Sequence, residues 1–220
     1  EISGGGTLNL TGKNKHAFKS GEYCQLKKSC GTINILSAPG DGMHCSEYFK
    51  MNGGTVTINN TYGDGIDADS LGNVLVNGGN LTITIDTITG KGIKCDSTYT
   101  QTDGNITLTI PGTMLSAKGI DIGKNGFLSG GSITATVSAN GSKGIKGDGN
   151  FTMSGGTMTM TCSGGKDKIT DPTDPSKCYG VKLDGTWSKT GGTCAISTTS
   201  SVAAAIKDAT KTYGADGTAE

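Results

Sequence analysis

The chain has no arginine. All 19 of its basic residues are lysine, and 19 Asp and Glu balance them to a formal net charge of zero. Without a basic excess to neutralise phosphates, nucleic acid is excluded as a natural partner. The missing guanidinium also removes the side chain best shaped for bidentate carboxylate recognition. Proline is scarce at 4 residues, and no Gly-X-Y triplet runs through the chain, so its 38 glycines do not belong to a collagen helix. No apolar run approaches the roughly 18 residues of a membrane span. No C-x-x-C pair occurs among the 7 cysteines, which leaves the common zinc and thioredoxin-type spacings unsupported. The odd cysteine count leaves at least one thiol free or paired with another chain. No signal peptide is visible and the first residue is Glu1, so the sequence reads as a processed or excised piece of something longer, with other domains of that chain among its partners.

What fills the space is glycine, threonine, serine and asparagine in a repeat. Gly65-Ile66-Asp67-Ala68-Asp69 returns as Gly92-Ile93-Lys94-Cys95-Asp96, Gly119-Ile120-Asp121-Ile122-Gly123, Gly144-Ile145-Lys146-Gly147-Asp148 and Gly180-Val181-Lys182-Leu183-Asp184. A second phrase, Gly-Gly-x-apolar-x-apolar, places its second glycine at 6, 31, 54, 79, 104, 131, 156 and 192. The steps are 25, 23, 25, 25, 27, 25 and 36. A period of about 25 with three short alternating segments per unit predicts an all-β solenoid, a single-stranded right-handed parallel β-helix of about eight coils. Coils stacked about 4.8 Å apart put like residue over like. The expected interior ladders are Met43-Ile66-Ile93-Ile120-Ile145-Val181 and Val56-Leu81-Ile106-Ile133-Met158-Cys194. Phe49, Val74, Tyr99, Phe151 and Trp187 share a third inward column.

The solenoid domain is expected over residues 1–213, with a loop insertion at 163–177 accounting for the long step and a disordered tail at 214–220. Ile206-Lys207 fits the repeat as a final coil better than as a helix. Cys162 and Cys178 flank the loop, either as a staple or, for Cys162, as a core thiol; Cys24 and Cys30 could pair around a turn.

Function is expected on the outward columns of the first phrase. One column runs Lys19, His44, Asp67, Lys94, Asp121, Lys146, Lys182, Lys207. A neighbouring column holds Asp69, Asp96, Asp148 and Asp184, and the corner before it holds Asp41, Asp64, Lys91, Lys118 and Lys143. Stacked carboxylates repel unless a cation intervenes, and calcium with oxygen ligands at Asp64, Asp67, Asp69, Asp96 and Asp121 would serve. The competing reading is a solvated ladder in which Asp67 and Asp121 pair with Lys94 and Asp148 with Lys146. His44 reads as an exposed ladder residue. Lys94 and Lys146 are candidates for contacting acidic sugars, or for acting as the base in β-elimination of a uronate. Tyr62, Tyr179 and Tyr48 are candidates for sugar stacking. The sheet after the glycine pairs shows a flat uncharged array, Thr55, Thr57, Thr82, Thr107, Thr134 and Thr159 among others.

The phrases G-[DK]-G-I-[DK]-x-D and G-G-x-[LIV]-T-[LIV] over about residues 40–210 resemble the bacterial carbohydrate-binding domain family with a pectate-lyase-like β-helix. That resemblance implies calcium held by acidic side chains, plant cell-wall polysaccharide as the partner, no clear lyase activity, and a secreted, periplasmic or cell-surface location. The opening coils, with Phe18-Lys19-Ser20 and His44, depart from the pattern, as do Ser46 and Gly123. Two other readings stay open: a calcium-dependent polysaccharide lyase, and a structural surface module or adhesin.

Overall fold

The computed structural model describes residues 1–59, 61–170 and 172–219. Among these there is no α-helix; the chain winds into a parallel β-solenoid. One sheet is built from the first phrase. Its rungs are Phe18–Ser20, Met43–Cys45, Ile66–Ala68, Lys91–Cys95, Lys118–Ile122, Lys143–Gly147, Tyr179–Leu183 and Ala204–Lys207, paired in that order. The strands on either side of the glycine pairs form a second, 12-stranded sheet. In Cys24–Ser37, Asn73–Thr84 and Tyr99–Ile110 the chain runs through the glycine corner as one bent strand. Elsewhere the two segments separate, as in Gly126–Leu128 and Ser132–Val137.

The register matches the repeat. Met43 pairs with Ile66, Ile66 with Ile93, Ile93 with Ile120, Ile120 with Ile145 and Ile145 with Val181. Val56, Leu81, Ile106, Ile133, Met158 and Cys194 form the second ladder. All of these are buried. A one-residue slip would turn every inward side chain to solvent, so the alternation alone fixes the register. The aromatic column is also core: Phe49, Tyr99 and Phe151 are fully buried, and Phe151 stacks on Trp187 with ring centroids 5.6 Å apart. At the rung between Tyr99 and Phe151 the column has Gly126, where an added Cβ would stand 2.3 Å from the Phe151 ring. The core also holds a polar group that periodicity does not reveal. Gln101 is fully buried; its Oε1 accepts the Tyr99 hydroxyl at 2.7 Å and its Nε2 donates to the Gly104 and Ser132 carbonyls.

All seven cysteines are buried free thiols. Neither Cys162 with Cys178 nor Cys24 with Cys30 is bridged; Cys24, Cys30 and Cys162 are buried on their strands as apolar residues would be, and Cys178 is buried just before Tyr179–Leu183. Burial pushes the Cys95, Cys178 and Cys194 thiols up to about 11 and Cys162 up to about 12, so they are unreactive core.

At the C-terminal end the parallel stacking stops. Ala204–Lys207 pairs with Val181 and Lys182 as a final rung, then turns back on Thr212–Tyr213 in an antiparallel hairpin. Residues 214–219, expected as a loose tail, lie against this end: Trp187 Nε1 donates to the Gly217 carbonyl at 3.0 Å and Ile196 N to the Ala215 carbonyl at 2.9 Å. The hairpin is organised by Asp208, which is 1% exposed. Its carboxylate accepts from Thr210 N, Lys211 N, Thr210 Oγ1, Trp187 N and Tyr213 Oη. This covers an edge that would otherwise be open to other chains.

Candidate functional site on the charged face

Lys19, His44, Asp67, Lys94, Asp121, Lys146, Lys182 and Lys207 stand at successive paired positions, one per rung, as the repeat requires. Strand spacing of about 4.8 Å makes each a neighbour of the next. The column divides into two patches.

The first patch is acidic and spans the opening coils. Lys94 Nζ lies 3.1 Å from Asp67, 3.5 Å from Asp69 and 3.4 Å from Asp96. A lysine ammonium therefore occupies the middle of the carboxylates expected to hold metal. Burial alone would lower the Lys94 ammonium, but Asp67, Asp96 and Asp69 outweigh it and hold it above its ordinary range. Asp69 and Asp96 also touch each other. Burial and then the Asp69 carboxylate push Asp96 up, while the Ser70 N–H and then Asp96 draw Asp69 down. Asp64 joins this group on the side of Asp67 and Asp41, with carboxylate atoms of the three within 4.8 Å of one another; it accepts from Lys91 N at 2.9 Å, and burial, opposed by Lys91, pushes it up to about 6. Asp121 pairs with Lys118 at 2.7 Å, where the solvated-ladder reading paired it with Lys94. The five aspartates are thus split among Lys91, Lys94 and Lys118, because each corner lysine sits within reach of a carboxylate on its own or the adjacent rung.

His44 is not an exposed ladder residue. Its side chain is 12% exposed, Nδ1 lies 3.1 Å from both Asp41 and Asp67, and the ring stacks on His16 at 4.4 Å. His16 carries no repeat signal; only its position one coil before Asp41 could have pointed to it.

The second patch is cationic and lies three to four rungs away from Asp67, about 14–19 Å. Lys146 pairs with Asp148 and Asp184, both at 2.7 Å, and burial is again outweighed by those carboxylates, which raise it. Beside it, Tyr179 follows Lys143 in the corner column. The 163–177 insertion folds back here through an antiparallel bridge between Asp167 and Ser176. Asp167 pins the fold-back, accepting from Ser116 Oγ at 2.7 Å and from Ile169 N at 2.9 Å. The result is a cleft of about 380 Å³ lined by Tyr179, Lys143, Lys182, Lys177, Asp174, Pro175 and Ser176. Burial, then the neighbouring Lys118, lowers Lys143, whose Nζ donates to the Gly141 carbonyl. The sequence marked this insertion as an exposed loop; residues 174–177 of it wall one side of an open cleft, held by the Asp167–Ser176 bridge, and nothing in the repeat distinguishes Asp167. A larger hollow of about 420 Å³ between Met160, Cys194, Ile196 and Ala215 is mainly apolar and holds no lysine.

The other expected sugar contacts are distributed. Tyr62 is 77% exposed at the corner before Asp64. Tyr48 stacks on Tyr23 at 4.8 Å. On the flat face, Asn105 Nδ2 donates to Asn80 Oδ1 at 3.0 Å and Ser132 Oγ to Asn105 Oδ1 at 2.8 Å, so its amides satisfy one another.

These features define a β-solenoid with an ion-paired face and a lysine–tyrosine cleft. Residues 1–168 match the family described as carbohydrate-binding domain-containing protein, which is more than half the chain, and the chain belongs to that family. The match includes the opening coils that depart from the repeat pattern. No curated protein and no solved structure matches the chain.

Proposed function

We propose that the protein binds an acidic polysaccharide of plant or cell-wall type, without cleaving it, in the cleft beside the 163–177 insertion, and that it does so outside the cytoplasm, where such polymers lie. Family membership supports carbohydrate as the ligand. The observation that supports the location is the convergence of Tyr179 with Lys143, Lys177 and Lys182 in one concave site. A tyrosine ring offers an apolar face to a sugar and a hydroxyl to its rim. The lysines supply point charges for uronate carboxylates, which suits a chain without arginine. Tyr62, exposed on the acidic patch, extends the path along the face.

Calcium assistance is part of this proposal, on a narrower set of residues than the repeat suggested. Asp64, Asp67 and Asp121 each face a lysine or histidine and fit a calcium shell poorly. Asp69 and Asp96 share Lys94 as well, but they are the more exposed carboxylates, at 43 and 33%, and in mutual contact, so they fit better. When bound, calcium would bridge these carboxylates to those of the polymer. The lyase reading is disfavoured because its candidate bases, Lys94 and Lys146, are held protonated by three and two carboxylates respectively.

Affinity electrophoresis in gels containing polygalacturonate or neutral glucans tests this. Retardation is expected with polygalacturonate, weakened by chelator and by Asp96→Asn, with no rise in unsaturated-uronate absorbance. Equal migration in all gels would refute binding; retardation indifferent to chelator would remove calcium alone.

A further inference from the structure

We propose that His16, Asp41, His44 and Asp67 bind one divalent transition-metal ion of the zinc type, which staples the first three coils together. The chain has only 2 histidines, and both are here. Candidate ligand atoms of His16, Asp41 and His44 all lie within 4.8 Å of one another. His16 Nδ1 is 2.9 Å from Asp41 Oδ2, and His44 Nδ1 is 3.1 Å from Asp41 Oδ2 and 3.1 Å from Asp67 Oδ2. A tetrahedral ion with bonds of about 2.0–2.1 Å has ligand–ligand edges of roughly 3.3–3.4 Å, so small shifts open the arrangement to receive it.

His16 Nδ1 faces both the Asp41 N–H at 3.2 Å and the Asp41 carboxylate at 2.9 Å, and its one lone pair would leave that N–H to bind the ion. The His16 proton then sits on Nε2, which is buried and has no hydrogen-bond partner. His44 Nδ1 carries at most one proton for two carboxylate oxygens. The side chains of His16, Asp41, His44 and Asp67 are 6, 13, 12 and 10% exposed, so water does little to relieve the conflict. A cation turns the opposed lone pairs into ligands.

The donor set selects the ion. Imidazole with carboxylate suits zinc, nickel or copper, whereas calcium prefers an all-oxygen shell. The clustered His16, Asp41 and His44, with Asp67 drawn in beside His44 as a fourth ligand, would make a closed, structural site. Asp64 N, donating to Asp41 Oδ1 at 2.8 Å, and Lys94, 3.1 Å from Asp67 Oδ1, orient the carboxylates from outside. His16 belongs to the first coil, Asp41 and His44 to the second and Asp67 to the third, so the ion ties together an end that has neighbours on one side only. This site is independent of the polysaccharide cleft.

The test is calorimetric titration of chelator-stripped protein with ZnCl2. One equivalent is expected, with a higher unfolding midpoint, no displacement by a hundredfold excess of Ca²⁺, and affinity weakened about tenfold or more in His16→Ala and His44→Ala. Co²⁺ added to the unaltered protein is expected to give the intense visible absorption of a four-coordinate ion, a result that needs no variant to fold. Polygalacturonate retardation of His16→Ala is expected to persist, separating this site from the sugar site. Absence of zinc uptake, uptake unchanged in both histidine variants, displacement by Ca²⁺, or only the weak spectrum of six-coordinate Co²⁺ would overturn the proposal.

Discussion

Gly131→Val lowers the unfolding midpoint by about 10 °C, the middle of a span of about 4–20 °C. Gly131 has φ +72°, and a Cβ there would stand 2.2 Å from the Gly104 carbonyl oxygen and 2.6 Å from the Asp103 carbonyl carbon. Both are backbone atoms of the coil beneath, so no side chain can swing away. A left-handed conformation costs an L-residue roughly 1–2 kcal/mol, more for a β-branched one. Forcing atoms into a packed interior adds about 1–3 kcal/mol. For a chain of this size each kcal/mol shifts the midpoint by about 2–4 °C. The matched control is Gly6→Val, at the same position in the first copy of the phrase. Its added Cβ meets nothing within 4 Å, and the midpoint is expected to stay within about 2 °C. Thermal unfolding followed by circular dichroism measures both. Equal effects would mean that stacking does not set the glycine requirement.

Asp208→Ala is the second large effect, about 3 kcal/mol or more, because it leaves buried donors without an acceptor at the C-terminal end. The carboxylate is also an acid sensor. Burial pushes Asp208 up, but the N–H groups of Lys211, Thr210 and Trp187 and the Tyr213 hydroxyl outweigh it and hold it well below the usual carboxylate range. A carboxyl whose folded value lies below its unfolded value of about 3.9 contributes its full stability above that pH. The contribution is lost as pH falls below about 4 and through the folded value. Asp167, lowered in the same sense by Thr170 and Ser116 against burial, adds to the slope. Midpoints measured from pH 7 to pH 2 are expected to fall steeply below about pH 4 in the unaltered protein. Asp208→Asn should flatten that fall; an unchanged slope would assign the acid sensitivity elsewhere.

The scaffold was legible because a solenoid writes its contacts at one interval. Ile66, Ile93, Ile120 and Ile145 announce a ladder by recurring, and the charged column from Lys19 to Lys207 follows from the same spacing. The pairing within that column was not legible. Asp121 chooses Lys118 over Lys94, and Lys94 gathers three carboxylates, through side-chain reach that a repeat does not encode. His16, Asp167, Gln101 and Asp208 act once each, two of them (His16 and Gln101) at repeat positions but with side chains no other coil repeats, and single residues leave no periodic trace. The cleft wall therefore lay hidden in an insertion, and the two-histidine cluster in an opening coil that looked like a deviation.

The flat threonine face and the charged face make opposite demands on a ligand, so calorimetric titration with oligogalacturonate separates them. Tyr179→Ala is expected to weaken binding about tenfold or more, a loss of about 1.4 kcal/mol. Thr134→Lys, on the exposed flat face, is expected to leave affinity unchanged or slightly raised. Binding lost in Thr134→Lys and retained in Tyr179→Ala would contradict the assignment of the polysaccharide to the cleft beside residues 163–177.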